Sequence, residues 1–462
     1  MQFSTVRPAA QEHVQSKENL LGRMAEARVL TDDLFRLLRP EAFYDRPISE
    51  RHRLIFYLGH LEAFDWNLLR GRVLDAEAFH PEYDQLFAFG IDPLEDGLPA
   101  DLPGDWPSIA DVQEYVKEVR CSLDEHLGKF DPSALYLRCG PDYSASTLLN
   151  VAIEHRLMHA ETLAYLLHQL PYTHKLEPPR LASAPSSDEH GGAGRPYKTG
   201  RIRIPEGQVT LGLQQLMPEA SDFGWDNEYA AHRVNVPAFE IDEYKVSNGE
   251  YLNFVNAGGY RKRSYWDESG WNWIQKHGIK NPVFWEQVGS EWYYRGMFQE
   301  FPLPLYWPVY VSHAEASAFA HWAGKSLPSE AQWNRAAYGR ASGGENPYPW
   351  GEQPPAKEFG YSDFSRRNPA PVNAFPKARS AFGLAGLLAN GWEWTSTPFA
   401  PFQGFKAFSF YPGYSANFFD GKHYVLKGGS TRTAACMLRR SFRNWFQPHY
   451  QYVYAGFRCI NF

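Results

Sequence analysis

From residue 142 to residue 170 the chain contains no glycine and no proline, and Leu148, Leu149, Ala152, Leu163, Leu166 and Leu167 recur at helical spacing. That pattern predicts a long helix whose apolar stripe is buried against other elements. The same helix carries His155 and His159. Residues four apart stand one above the other on one face, so the two imidazoles can reach a single metal ion. His60 lies on a second amphipathic stretch and can add a third ligand from a facing helix. Three imidazoles leave coordination positions open, which suits catalysis better than a closed structural site. His52, eight residues before His60, can share its helical face and competes for the third place. Glu161 lies about 200° around the helix from His159, so it is expected to support or pack, not to ligate. A chain with 16 histidines also contains pairs four apart by chance. His126, His168, His174, His190 and His277 are read as surface or structural.

Three further helical stretches, at residues 12–38, 49–70 and 109–127, join residues 144–169 in an expected antiparallel bundle. The connection over residues 80–107 is long for a bundle and rich in Pro, Gly and Asp. Residues 177–200 are dense in Pro, Ser and Gly and read as a linker. Beyond residue 201 short strand-like pieces (201–204, 232–236, 239–244) alternate with helices at 247–256, 312–324 and 329–339. Residues 259–308 read as irregular. The expected organisation is α+β in two domains, 12–176 and 201–462.

Composition narrows the function. The net charge of −7, with no basic run, argues against nucleic acid as a partner. The first residues lack the pattern of a signal peptide, and no apolar run approaches a membrane span, so a cytoplasmic protein is expected. The four cysteines form no Cys-x2-Cys pair. Aromatics make up 16% of the chain, crowded into the second half, where they can line a pocket for cationic or sugar-like ligands.

Six segments of that half occur in the order of one family: PVYVSHAEA (308–316), WAGKSLPSEAQW (322–333), YPWG (348–351), NGWEWT (390–395), KGGS (427–430) and AGFRC (455–459). They resemble the formylglycine-generating-enzyme superfamily, a variant C-type-lectin fold. Formylglycine chemistry uses cysteines three and eight residues after the serine of Gly-Gly-Ser; here these positions hold Thr433 and Leu438, with Cys436 out of register. The resemblance therefore implies the fold without that reaction.

The first half resembles the DinB-like four-helix domain, which places one metal histidine early and a His-x3-His pair late. The two together resemble ergothioneine-type sulfoxide synthases. That resemblance implies Fe(II) on His60, His155 and His159, O2 as oxidant, and bond formation at imidazole C2 of Nα-trimethylhistidine (hercynine). By the same resemblance Tyr411 is the proton donor, while Tyr414, Asn444 and Trp445 hold hercynine. A phenol with a pKa near 10 can donate a proton to reduced oxygen, and an aromatic face suits a quaternary ammonium. Two positions depart from members that use γ-glutamylcysteine: Phe446 stands for an acidic residue and Met158 for a glutamine. The connection 80–107 is acidic and carries no paired arginines. Cysteine, or a thio- or selenosugar as in selenoneine synthases, is the expected donor. Rival readings are a lectin-like binding module without catalysis and a zinc-dependent DinB-like thiol transferase or hydrolase.

Overall fold

The computed structural model describes residues 16–88, 101–177, 197–214 and 223–461. Most of the expected linker (residues 178–196) and the middle of the long connection (residues 89–100) lie outside the described residues, as does His190.

Among the described residues, five α-helices build the first half: α1 (Lys17–Phe35), α2 (Leu54–Leu69), α3 (Pro81–Leu86), α4 (Ile109–Lys129) and α5 (Ala145–Gln169). Ser16, Ser108 and Ser144 cap α1, α4 and α5, each accepting from a backbone N–H three residues on. Side-chain contacts set the directions. Arg28 meets Asp124 and Asp32 meets Arg120, so α1 and α4 are antiparallel. Arg23 meets Asn150 and Arg156 meets Thr31, so α1 and α5 run the same way. Tyr57 lies beside His159 and Phe64 beside His155, so α2 and α5 are antiparallel. The bundle is therefore not antiparallel throughout: α2 and α4 are parallel. This accounts for the long connection, because the chain must travel back about 24 Å, the length of a 16-residue helix, before α4 can start. Part of that connection is α3, which the Pro- and Asp-rich composition concealed.

The second half holds strands β1 (Arg201–Ile204), β2 (Gly207–Leu211), β3 (His232–Val236), β4 (Phe239–Asp242), β5 (Trp285–Val288), β6 (Glu291–Arg295), β7 (Glu300–Pro302), β8 (Gly391–Pro398), β9 (Tyr424–Gly429), β10 (Asn444–Phe446), β11 (Ala455–Gly456) and β12 (Ile460–Asn461). The sheet nearest the functional residues has the order β10-β9-β8-β11, antiparallel except for β11 on β8. Residues 259–308, expected to be irregular, contain the helix Glu268–His277 and the sheet β5-β6-β7. Consecutive aromatics at Trp292, Tyr293 and Tyr294 erase the alternation by which a strand is read.

One continuous buried cluster runs from Leu20 in α1 through the bundle to Phe457 and Cys459. The two halves therefore share a core across α5. No helix among the described residues is long and apolar enough to cross a membrane.

Candidate active site

Three consecutive residues of α5, Glu154, His155 and Arg156, are each at most 3% exposed. At 100° per residue they span about 200° of the helix, so each faces a different environment. Glu154 faces the second half, where it pairs with Arg439 (2.7 Å) and accepts from the indole N–H of Trp225 (2.8 Å). Arg156 faces the bundle core and donates to Glu62 (2.9 Å) and Asp65 (2.7 Å) of α2. Burial opposes charge on Glu62, yet the guanidiniums of Arg156 and Arg120 hold its carboxyl below the usual range. His155 lies between these directions, facing His60 and His159.

The candidate ligand atoms of His60, His155 and His159 all lie within 4.8 Å of one another. His155 Nε2 and His159 Nε2 are 3.1 Å apart. The Nδ1–H of His60 donates to the carbonyl of Phe87 at 2.6 Å, which leaves Nε2 as the lone-pair nitrogen. That nitrogen is buried and has no hydrogen-bond partner. Gly59 makes the contact possible: a Cβ there would come within 2.5 Å of the Phe87 ring. Burial lowers the pKa of all three imidazoles, to about 4 for His60 and well below the ordinary value for the other two. They are therefore neutral, the form that binds a metal. Nitrogens about 2.1 Å from one ion would be spaced roughly as the His155–His159 pair is. A neutral, inward-facing, three-nitrogen set fits a first-row divalent metal and leaves positions open.

Phe56 stacks on both His52 (4.1 Å) and His60 (4.8 Å). Its ring keeps His52 out of the cluster. Glu161 also stands apart, with its carboxylate accepting from Trp392 Nε1 (2.9 Å), Ser430 Oγ (2.6 Å) and Thr433 Oγ1 (2.8 Å). It fastens α5 to β8 and to the turn after β9. Thr433 occupies the position where the resemblance expects a cysteine, and its hydroxyl is engaged in this contact.

The aromatic residues expected near the metal come together on the second half. Tyr411 lies against Phe64 (5.5 Å between ring centroids), and Phe64 stacks on His155 at 3.4 Å and 12°. Tyr411 and Tyr414 are 5.5 Å apart, and the Tyr414 hydroxyl reaches Met158 Sδ at 3.5 Å. Trp445 meets Tyr414 edge to face at 5.4 Å and stacks on Phe399 at 4.2 Å. The Asn444 amide oxygen accepts from the Trp445 backbone N–H. Phe446 diverges from this group, stacking on Tyr450 at 5.1 Å with planes 4° apart. Successive residues of a strand point to opposite faces, so Phe446 and Trp445 line different surfaces.

Arg51, Phe64, Tyr450 and Trp225 escaped the sequence reading. Arg51 is buried, donates through Nε to the Tyr450 hydroxyl (2.9 Å), and its positive field is felt at His159. It precedes α2 and so lies outside the arginine-free connection 80–107. The acids of that connection are also less available than composition implied. Asp101 accepts from Arg46, Arg53 and Trp106, and Asp84 accepts from the Tyr115 hydroxyl. Asp92, Glu95 and Asp96 lie outside the described residues. Phe64 was within reach of pattern alone, being four residues after His60; Trp225 and Tyr450 sit on turns with no periodic signal.

Residues 23–163 match the DinB superfamily model, and residues 188–461 match the sulfatase-modifying factor enzyme 1-like domain. A hercynine oxygenase of Mycolicibacterium thermoresistibile is 31% identical over 94% of this chain and 93% of its own length. A hercynine oxygenase of Mycobacterium tuberculosis is 40% identical over 50% of this chain and 55% of its own. Ergothioneine biosynthesis protein 1 of Schizosaccharomyces pombe is 29% identical over 92% of this chain, which spans 54% of that protein.

Proposed function

The chain belongs to the ergothioneine-type sulfoxide synthase family, oxygenases that join a DinB domain to a sulfatase-modifying-factor domain, and from that premise we propose that it couples a sulfur or selenium donor to C2 of hercynine. The overall change consumes one O2. The imidazole C–H and the donor S–H (or Se–H) are lost, one oxygen atom ends on the chalcogen and the other in water. Iron(II) held by His60, His155 and His159 would supply electron transfer with O2. The observation that carries the reading is the buried histidine cluster, with Tyr411 lying against the Phe64 ring that stacks on His155.

In this reading Tyr411 delivers a proton, since a phenol, with an ordinary pKa near 10, carries one at neutral pH and can give it to reduced oxygen. Tyr414, Trp445 and Asn444 hold hercynine, the rings facing its trimethylammonium group and the amide its carboxylate. Met158 packs against the Tyr414 hydroxyl where relatives that use γ-glutamylcysteine carry an amide. Phe446 lines the donor side with Tyr450 and Arg51. Cysteine or a thio- or selenosugar is the favoured donor: a sugar has no ammonium group to miss the carboxylate that Phe446 replaces, and cysteine brings one carboxylate where γ-glutamylcysteine brings two.

The test combines metal analysis of protein purified without added metal with turnover of hercynine against cysteine, γ-glutamylcysteine, a thiosugar and a selenosugar. Iron and a C2-coupled sulfoxide or selenoxide are expected. A full complement of zinc with hydrolase activity, or hercynine binding with no metal, would replace the proposal by one of the rival readings.

A further inference from the structure

The sequence Trp225-Asp226-Asn227-Glu228 is a turn in which no residue is more than 1% exposed, although three of the four are polar. Such burial is costly unless each polar group is engaged. Asp226 accepts from Ser415 Oγ, and Asn227 donates to the same oxygen at 3.0 Å. Glu228 accepts from Arg439 and from Ser441 Oγ. Trp225 joins the two halves. Its ring stacks on Tyr414 with centroids 4.0 Å apart and planes 25° apart, while its N–H donates to Glu154, the residue before His155.

We infer that Trp225 is a positioning residue for hercynine, holding the Tyr414 phenol at a set distance from α5 and therefore from His155. The inference rests on the reading of Tyr414 as a hercynine contact. Physically, the flat stack fixes the plane of the phenol and the indole N–H fixes where that plane sits relative to the helix. Neither restraint alone does both. Arg439 donates to both carboxylate oxygens of Glu154, so the acceptor itself is fixed. Trp225 itself touches no substrate in this arrangement, and it acts through Tyr414.

A double-mutant cycle tests this on the full chain, with hercynine affinity read by calorimetry on iron-loaded protein and thermal melting as the folding control. Trp225→Phe keeps a ring on Tyr414 and removes the tie to Glu154; hercynine affinity is expected to fall on the order of tenfold, the scale of one hydrogen bond. Tyr414→Leu, which removes the ring, also weakens binding, and adding Trp225→Phe to it costs nothing further, because the group through which Trp225 acts is gone. Trp225→Tyr, which returns a donor to the same region, recovers part of the loss. Unchanged affinity in Trp225→Phe, or full additivity with Tyr414→Leu, overturns the inference. If Tyr414→Leu alone leaves affinity unchanged, it is the assignment of Tyr414 that fails. Should Trp225→Phe fail the melting control, Trp225→Tyr with Tyr414→Leu completes the same cycle.

Discussion

Helix α5 is gripped on two sides by different means. Toward α2, the histidines sit among aromatic rings (Phe56 on His60, Phe64 on His155, Tyr57 beside His159), and one buried guanidinium, Arg156, locks the register against Glu62 and Asp65. Toward the second half, two carboxylates seven residues apart, Glu154 and Glu161, reach into sockets of N–H and O–H donors. The first arrangement excludes water and keeps imidazoles neutral. The second sets the helix at a defined height against the sheet. Under the proposed function the site is split between two domains and needs both, since metal ligands on one and substrate contacts on the other would have to keep their spacing to within a fraction of an ångström.

Breaking the bundle side should have the largest effect. His155→Ala is expected to abolish metal retention and O2-dependent turnover, because two imidazoles hold a divalent ion weakly in water. His52→Ala should retain the full metal content, as Phe56 separates it from the cluster. Metal analysis of both proteins decides; normal metal in His155→Ala would end the assignment.

Tyr411→Phe, on the opposite side, should preserve hercynine binding while coupled product forms about 10²–10⁴-fold more slowly, the usual contribution of a positioned acid. Diversion toward oxidation of the donor alone is the expected accompaniment. An unchanged rate of coupled product refutes the role.

Arg156→Leu should cost about 3–5 kcal/mol of folding stability, since Glu62 and Asp65 would remain buried without their shared cation. Chemical denaturation measures this directly. A loss below about 1 kcal/mol would mean that Arg120, which also pairs with Glu62, carries the network instead.

The carboxylate side should separate charge from shape. Glu161 accepts from three neutral donors, so an amide of the same outline is tolerated: Glu161→Gln is expected to be near wild type in stability. Glu161→Ala strands three buried donors and should cost about 1–3 kcal/mol. Equal losses in the two variants would show that the negative charge itself is required.

The smallest effect concerns the donor. Phe446→Asp should shift relative kcat/KM toward an amino-acid donor by about tenfold, by offering a carboxylate to its ammonium group. Arg51 is expected to limit the gain by competing for that carboxylate. Should wild type already prefer γ-glutamylcysteine, the role given to Phe446 is wrong.

Much of the helical half was legible because helix geometry turns sequence spacing into direction. His155, His159 and the apolar stripe of α5 could be placed on faces from their numbers alone, and Glu161 could be placed away from the histidine face by the same arithmetic. Among the described residues the four long helices differ from expectation only near their ends, where caps and turns take over; residues 12–15 of the first lie outside them. The parallel relation of α2 and α4 was not legible, since it depends on the route of a connection whose composition marks only length. In the second half, segment order carried the fold family, and local patterns carried helices such as Glu330–Tyr338, whose N-terminal Ser329 caps the Gln332 N–H. The aromatic run at residues 292–294 defeated strand periodicity.

What the sequence determined by itself was therefore the long histidine-bearing helix, the split into helical and sheet-containing halves, and the residue types that a metal and a cationic aromatic substrate would need. Only the tertiary structure decided that Phe56 separates His52 from the cluster, that Phe446 and Trp445 face apart, and that Trp225 and Arg51 stand where they do. Periodicity reports the direction of a side chain from its own helix or strand. It carries no record of which distant loop arrives in front of it, because that is set by the packing of the whole core.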